Sequence, residues 1–179
     1  DLQAECLDGK YKTQDGENFD LRIGVEQGLM CSTCDRLNDF STIHPELDFI
    51  IFSSHLVGDE DPYYPETFQY PDGSPKNAMD IYIKYYKDIL YMAEHFNDYN
   101  VCGHLDYIFR YGPDKVTKEN FEKDFFTAKT KSGSICEILE EILKVVIKNG
   151  KGIEINTGSL YRGMDFAHPH SVILKMYKD

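Results

Sequence analysis

The strongest constraint on the fold is an alternation between short apolar segments and a long amphipathic one. Residues 47–54 are almost continuously apolar, which is typical of a parallel-sheet strand that is covered on both faces. Residues 78–96 place apolar side chains at helical spacing, and residues 99–103 return to a short strand pattern. Strand, helix and strand in this order form a βαβ unit, so the sequence predicts an α/β fold with a parallel sheet.

Two further strands are predicted on either side of this unit. Residues 19–25 alternate between apolar and polar side chains and end at Glu26, and residues 152–157 follow a second helix. Four strands are too few to close the usual eight-stranded barrel, and an open sheet of four leaves both edges unpaired. The expectation is therefore one domain over residues 1–179 that is incomplete at both ends.

The remaining segments are predicted to be helices and loops. Ser134 and Glu137 have the spacing of a capping box at the start of the second helix, and residues 171–177 form a final helix. Residues 58–76 are a long loop rich in proline and tyrosine, which is more typical of an active-site or binding loop than of a plain connector. Residues 115–133 are expected to hold a short helix and a mobile Lys-Ser-Gly tip.

The charge of the chain disfavours some classes of partner. Thirty-one acidic and nineteen basic residues give a net charge of −12, which would repel nucleic acids and anionic membranes at long range. No apolar run approaches the roughly 18 residues of a membrane span, and the first residues lack the pattern of a signal peptide. The sequence thus favours a cytoplasmic protein with a small-molecule ligand, and its oligomeric state is left open.

The five cysteines predict reduced thiols rather than a disulfide framework, since they are odd in number and widely spaced. Cys31 and Cys34 form a C-x-x-C pair that is compatible with half a zinc site or with a redox pair. The second half of a zinc quartet is absent from the sequence. We therefore expect these two thiols to have no special function.

Three residues of metal-ligand type follow three different predicted strands. Glu26, His55 and His104 each come at the end of a strand, and parallel strands bring their carboxyl ends to one edge of a sheet. One carboxylate and two imidazoles are ligands that suit zinc, manganese or iron, which indicates metal-assisted hydrolysis. The alternative is that each is a strand-end cap or a hydrogen-bonded loop histidine.

The other four histidines do not follow a predicted strand directly. His44, His95, His168 and His170 are interpreted as surface or helix-end residues. Of these, only His168 and His170 are candidates for facing the cleft.

Five short strings lie at or near the ends of the predicted strands: Gly24-Val25-Glu26-Gln27-Gly28, Ser54-His55, Gly103-His104-Leu105-Asp106-Tyr107, Arg110-Tyr111-Gly112 and Glu154-Ile155-Asn156-Thr157. In order and spacing they resemble strings of the histidinol-phosphate phosphatases of the polymerase-and-histidinol-phosphatase (PHP) superfamily. The resemblance implies a distorted (βα)7 TIM-like barrel with up to three divalent metal ions, and hydrolysis of L-histidinol phosphate in histidine biosynthesis.

The resemblance also implies roles for individual residues. Glu26 corresponds to a ligand that bridges two metal ions, and His55 and His104 correspond to histidine ligands, so that the three together hold a metal-bound hydroxide that attacks phosphorus. Arg110, with Tyr111, corresponds to the clamp on the substrate phosphate. A planar guanidinium suits that task, because it offers two parallel donors to phosphate oxygens.

Three further residues are assigned near this site. Asn156 is expected to contact substrate, and Arg162 is a candidate for a second phosphate-binding arginine, although Gly158 occupies one position where relatives carry that arginine. Asp106 is expected to orient its neighbours.

The chain also departs from the family pattern. The resemblance calls for a His-x-His after the first strand, a further early histidine and an Asp-x-His after a late strand, and none of these occurs in place. His168-Pro169-His170 has the letters of the first motif but follows the fourth strand. Two alternatives to histidinol-phosphate hydrolysis therefore stay open: a PHP phosphoesterase for another small phosphate ester, and a non-catalytic metal-binding module.

Overall fold

A computed structural model describes residues 2–179 as parallel strands and helices with a small hairpin. A π-helical turn over Phe121–Phe126 continues α4, and short 3-10 turns lie over Cys34–Leu37, Pro65–Thr67 and Tyr107–Arg110. The strands are β1 (Gly24–Leu29), β2 (Phe49–Ser54), β3 (Val101–Cys102), β4 (Lys129–Thr130), β5 (Gly133–Ser134) and β6 (Gly152–Ile153). The helices are α1 (Leu2–Leu7), α2 (Phe40–Ile43), α3 (Ala78–His95), α4 (Lys118–Asn120), α5 (Ile135–Lys148), α6 (Gly158–Tyr161) and α7 (Ser171–Lys178).

The main sheet has the order β1-β2-β3-β6, and every pair in it is parallel. The predicted α/β fold with a parallel sheet is confirmed. β3 and β6 are only two residues long, shorter than predicted, because only two positions of each pair with the neighbouring strand. The described strands form a row of four, and barrel closure stays a prediction.

The first strand lies further along the chain than predicted. β1 begins at Gly24, which pairs with Phe49, and it continues to Leu29, which pairs with Ser54. Glu26 is therefore the third residue of the strand instead of the residue after it. The prediction was wrong because local alternation does not show where a partner strand is available, and β2 starts only at Phe49.

The core lies between the sheet and the helices α3 and α5, which pack against each other. Both helices follow the predicted amphipathic pattern, and the side chain of Asn77 caps α3 by accepting a hydrogen bond from the backbone N of Met79. No helix among residues 2–179 is long and apolar enough to cross a membrane. The largest fully buried side chains of α3 are Tyr82, Tyr85, Tyr86, Ile83, Ile89 and Met92.

The capping box predicted at Ser134 is absent. Ser134 precedes α5, but its side chain makes no capping hydrogen bond and is buried. The Glu137 carboxylate instead contacts Lys129 at 3.1 Å. The reason is tertiary, since Ser134 pairs with Lys129 in the β4–β5 hairpin.

The predicted mobile tip is a hairpin turn that is hydrogen-bonded to α3. Ser132 donates to the Asp80 carboxylate at 2.7 Å and its carbonyl accepts from Lys87 at 2.7 Å. Gly133 has φ of +132°, a backbone conformation that L-residues rarely adopt. The segment is therefore fixed by contacts that only the folded helix supplies.

Candidate metal centre

Glu26, His55 and His104 lie together at the carboxyl-terminal edge of the main sheet, and we call them the rim cluster. The Glu26 Oε1 atom is 3.0 Å from His104 Nε2 and 3.2 Å from His55 Nε2. The two imidazole Nε2 atoms are 3.3 Å apart. Three donor atoms from distant parts of the chain thus face one another, as the sequence analysis expected.

The parallel sheet explains this convergence. His55 directly follows β2, and His104 comes two residues after β3, so both leave the sheet at the same edge. Gly103 permits the close approach of β3 to β2, because a Cβ at this position would meet the Ser53 hydroxyl and lie 3.3 Å from the Phe52 carbonyl. A larger residue at Gly103 would push His104 away from Glu26.

The donor set fits a divalent metal ion. Ligands that bind one tetrahedral ion at about 2.0–2.1 Å lie about 3.3 Å apart, close to the three separations of the rim cluster. Within residues 2–179 this is the single group of three metal-ligating side chains whose donor atoms lie within 4.8 Å of one another. Its members differ in exposure: the side chain of His104 is 5% exposed, and those of His55 and Glu26 are 38% and 45% exposed.

The electrostatics of the rim cluster favour the deprotonated forms that bind metals. Partial burial raises the pKa of Glu26, but the nearby Ser53 hydroxyl, the contact with His104 and the charges of both imidazoles outweigh it, so the net pKa is lowered. Burial, followed by the charge of His104, lowers the pKa of His55. A carboxylate beside a neutral imidazole is the state in which both groups offer lone pairs to a cation.

Glu154 holds His104 in place, a role that the sequence analysis did not assign. Its Oε2 atom accepts a hydrogen bond from the backbone N of His104 at 3.1 Å. Glu154 follows β6 directly, so its position at the strand edge was a usable signal. Asn156 donates to Glu154 Oε1 at 3.3 Å and accepts from the backbone N of Gly158 at 2.8 Å, so its amide is engaged within the protein.

Arg110 stands beside the rim cluster. Its guanidinium lies 4.8 Å from the centre of the Tyr107 ring. Burial and the charge of His104 lower the pKa of His55 most, the carboxylate of Glu26 opposes them, and the positive charge of Arg110 adds a smaller lowering. The buried Nε atom of Arg110 has no hydrogen-bond partner among residues 2–179. Arg110 and Arg162 line one cleft of about 290 Å³, which is also lined by Lys115, Asp114 and Asp165. Guanidinium groups are suited to binding the oxygens of a phosphate.

Tyr111 contacts Tyr107. The hydroxyl groups of Tyr107 and Tyr111 are 3.0 Å apart. Tyr111 lines a pocket with Tyr63, whereas Arg110 lines the cleft with Arg162. A joint role of Arg110 and Tyr111 in binding phosphate stays a prediction.

The prediction that His168 is a surface or helix-end residue was wrong, whereas His170 is a helix-end residue as predicted, because it is the N-cap of α7. Both are buried, and the Nδ1 atom of His168 lies 2.5 Å from Oδ1 of Asp106, which is also fully buried. The other oxygen of Asp106 accepts from the backbone N of His170 at 2.7 Å. We call Asp106 and His168 the interior pair; it joins the loop after His104 to the segment after Asn156, a contact between residues 62 positions apart that no local pattern reveals.

His44 and His95 lie at helix ends, as predicted. His44 is the residue after α2, and His95 is the last residue of α3. Neither belongs to a group of metal-ligating side chains within the described part of the chain.

Cys31 and Cys34 are free thiols. Burial, with the charge of Asp88 next, raises the pKa of Cys31 to about 11, so this thiol is protonated near neutral pH. The environment of the pair therefore disfavours both redox exchange and metal binding.

Comparison with known proteins agrees with this site. The PHP domain family matches residues 4–158. A histidinol-phosphatase of Lactococcus lactis subsp. lactis is 34% identical over 157 residues, which cover 87% of this chain and 49% of that protein. A crystal structure of histidinol phosphate phosphatase from the same organism, complexed with zinc, L-histidinol and phosphate, superposes with a TM-score of 0.60 at 29% identity, covering 87% of this chain and 50% of the other.

The chain spans about half the length of both of these relatives. The family match nevertheless covers most of its residues and includes all three members of the rim cluster. By its sequence and by its parallel sheet, the chain belongs to the PHP domain family.

Proposed function

We propose that this protein is a metal-dependent phosphomonoesterase, a histidinol-phosphatase that converts L-histidinol phosphate to L-histidinol and phosphate in histidine biosynthesis. The observation that carries the proposal is the rim cluster, whose three donor atoms meet at 3.0 to 3.3 Å. The Lactococcus relatives support the reaction and substrate, since one is named a histidinol-phosphatase and the other holds zinc, L-histidinol and phosphate. A biosynthetic role of this kind is expected in the cytoplasm.

We further propose that residues 1–179 form part of one PHP-type domain whose four parallel strands belong to a distorted (βα)7 barrel. The parallel order β1-β2-β3-β6 supports this architecture. The metals proposed are zinc, manganese or iron, up to three in number. Zinc is supported by the ion in the Lactococcus structure and by the mixed carboxylate and imidazole donors of this chain.

In this proposal Glu26, His55 and His104 hold the metal. Divalent ions, when bound, neutralise charge on phosphoryl oxygens and lower the pKa of water. The carboxylate of Glu26 is suited to bridging two ions, because each of its two oxygens can bind a different ion. Glu154 keeps His104 oriented through the hydrogen bond to the backbone N.

Arg110 and Arg162 are proposed to bind the phosphate of the substrate. The unpartnered Nε of Arg110 and the shared cleft support this assignment. Fixed positive charge near the equatorial oxygens stabilises the transition state of phosphoryl transfer more than the ground state. Tyr111 and Asn156 are proposed as further contacts to the substrate. Their polar groups have partners within the protein, which they would exchange for the substrate on binding.

The test combines metal analysis with a panel of phosphate esters. We expect the wild-type chain to retain a divalent metal and to hydrolyse L-histidinol phosphate with the highest kcat/KM of the panel. Glu26→Gln should lose both properties, whereas Glu46→Gln, a carboxylate paired only with His44 outside the rim cluster, should lose neither.

Three other outcomes would change the proposal. If another ester had a higher kcat/KM, the proposed phosphomonoesterase reaction would stand and the proposed substrate would be replaced by that ester. Metal binding without hydrolysis of any ester would indicate the non-catalytic metal-binding module. Hydrolysis that survives removal of metal would contradict the mechanism.

A further inference from the structure

A row of tyrosine rings leads outward from the rim cluster. Tyr107 stacks on His104 with ring centres 4.8 Å apart and meets His55 edge-on at 5.1 Å. Tyr111 lies 5.2 Å from Tyr107, and Tyr63 lies 6.2 Å from Tyr111. The rings therefore connect the proposed metal centre to the loop over residues 58–76, which the proposed function leaves without a role.

The outer end of this row is an open pocket of about 240 Å³. Tyr63 and Tyr64, whose rings meet edge-on at 5.2 Å, are 71% and 57% exposed. Large aromatic rings that stay in water beside a cleft are available for contact with a ligand. The pocket is lined by Pro62, Tyr63, Tyr64, Phe68, Gln69 and Tyr111, together with two further prolines.

The turn that carries Tyr63 and Tyr64 is fixed by Asp61. The Asp61 carboxylate accepts a hydrogen bond from the backbone N of Tyr63 at 2.9 Å, and its carbonyl accepts from the backbone N of Tyr64 at 3.0 Å. The Thr67 hydroxyl, which is buried, also donates to this carbonyl at 2.9 Å. The loop thus presents its rings in a defined arrangement.

The charge of this region favours a cation. No lining residue of the pocket is basic, and the carboxylate of Asp61 is held next to the lining residue Tyr63 by a hydrogen bond from the Tyr63 backbone N at 2.9 Å. Aromatic faces attract organic cations through the negative charge of their π systems, and a nearby carboxylate adds to this attraction. Arg110, whose guanidinium lies 4.8 Å from the centre of the Tyr107 ring, is not a lining residue of this pocket.

We propose that Tyr63, Tyr111 and Asp61 form a subsite, the tyrosine subsite, that binds the positively charged organic group of a zwitterionic phosphate monoester. This inference rests on the proposed function, because it assumes that the phosphate lies at Arg110. The two ends of such a substrate would then be held by two residues that both contact Tyr107, Arg110 at the phosphate and Tyr111 at the cation. The tyrosine subsite selects the alcohol part of the substrate, while the rim cluster and Arg110 act on the phosphate common to all esters.

Because the metal-loaded chain is proposed to hydrolyse phosphate esters, equilibrium binding is measured by calorimetry with the non-hydrolysable phosphonate analogues of the probes, which are named below by their parent esters. L-histidinol phosphate carries a cationic group, and glycerol phosphate has a neutral alcohol part. Tyr63→Leu should weaken binding of L-histidinol phosphate by about 3- to 30-fold, the range expected for loss of a cation–aromatic contact. Binding of glycerol phosphate should change by less than about twofold, because the phosphate contacts are untouched.

Two further variants test the contribution of charge and control for the loss of a tyrosine ring elsewhere in the loop. Asp61→Asn keeps the oxygen that accepts a hydrogen bond from the backbone N of Tyr63 and removes only the charge. It should therefore weaken the binding of L-histidinol phosphate but not that of glycerol phosphate, and it should reduce the salt dependence of binding. Tyr70→Leu is the matched control, because Tyr70 is a 53% exposed tyrosine of the same loop that does not line the pocket. It should change neither affinity.

The results distinguish failure of the tyrosine subsite from failure of the proposed function. Equal losses for both probes in Tyr63→Leu, or no loss, would overturn the subsite even if the wild type hydrolyses L-histidinol phosphate. Selective binding of phosphoethanolamine in preference to L-histidinol phosphate, with the same dependence on Tyr63, would support the subsite and reject the proposed substrate. A wild type that binds no zwitterionic ester more tightly than glycerol phosphate would also overturn the subsite.

Discussion

The protein contains two pairings of carboxylate with imidazole that lie only two residues apart along one segment. The rim cluster uses His104, whose Nε2 meets Glu26 at 3.0 Å beside solvent. The interior pair uses Asp106, whose Oδ1 meets His168 at 2.5 Å with both side chains fully buried. The chemical groups are alike, so the difference in environment decides what each can do.

In the rim cluster, water and ions reach the donor atoms, and Glu26 is 45% exposed. A cation can replace the contacts among the three side chains without unfolding the chain. The interior pair is sealed, and its carboxylate also accepts from the backbone N of His170. Separating a buried pair leaves a polar group without a partner in a medium of low dielectric constant, so the interior pair acts in folding and positioning.

Four predictions test this contrast, from the largest expected effect to the smallest. Asp106→Ala should lower the free energy of unfolding by about 3–5 kcal/mol, because it removes one partner of a buried pair. Glu26→Ala, which removes a half-exposed carboxylate from the rim cluster, should lower it by less than about 1 kcal/mol. Urea unfolding of the metal-free variants measures both values, and equal losses would contradict the distinction.

The second prediction concerns metal affinity. Glu26→Gln should weaken binding of zinc by more than about 100-fold, since it removes an anionic ligand, whereas the fold should persist. Competition with a chromophoric chelator gives the dissociation constants. The control is Glu60→Gln, the same substitution at an exposed carboxylate that is paired with Lys76. Unchanged zinc affinity in Glu26→Gln would show that Glu26 is not a metal ligand.

The third prediction concerns the support of His104 by Glu154. Glu154→Ala should weaken metal binding by about 10-fold, because the Glu154 carboxylate holds the backbone of His104 in place through a hydrogen bond from the His104 backbone N. Glu154→Gln retains an oxygen acceptor and should restore most of the affinity. An effect as large as that of Glu26→Gln would instead indicate that Glu154 binds the metal directly.

The fourth and smallest effect is a dependence on pH. Burial and the charge of His104 lower the pKa of His55 from its usual 6.5, so the folded metal-free protein binds a proton here less readily than the unfolded chain does. Stability should therefore decrease as the pH falls through 6.5 toward the lowered pKa. Unfolding of wild type and His55→Gln between pH 7 and 5 measures this dependence, which the variant should show more weakly; an identical slope would contradict it.

Much of the candidate site could be predicted because strand ends are visible in sequence. His55 and His104 each follow an apolar run, and a parallel sheet must bring such positions to one edge. Glu26 was placed in the right region although its strand runs on to Leu29. Glu154 was overlooked in spite of its equivalent position after β6, because its contact is with a backbone N that no motif marks.

Contacts between segments that are distant in sequence were not predictable. The Asp106–His168 pair and the Ser132–Asp80 hydrogen bond each join segments more than 50 residues apart. The first contact buries His168, which was predicted to be a surface or helix-end residue, and the second fixes a turn that was predicted to be mobile. The raised pKa of Cys31 likewise depends on burial and on Asp88 of α3.

The sequence by itself determined the two long helices, the parallel direction of the strands and the ligand types near the strand ends, since hydrophobic periodicity is a local property. The tertiary structure alone decided which imidazoles meet solvent and which are sealed inside. Burial and pairing across the chain depend on how the segments pack, and in this protein they separate a site open to a metal ion from a buried hydrogen-bonded pair only two residues away.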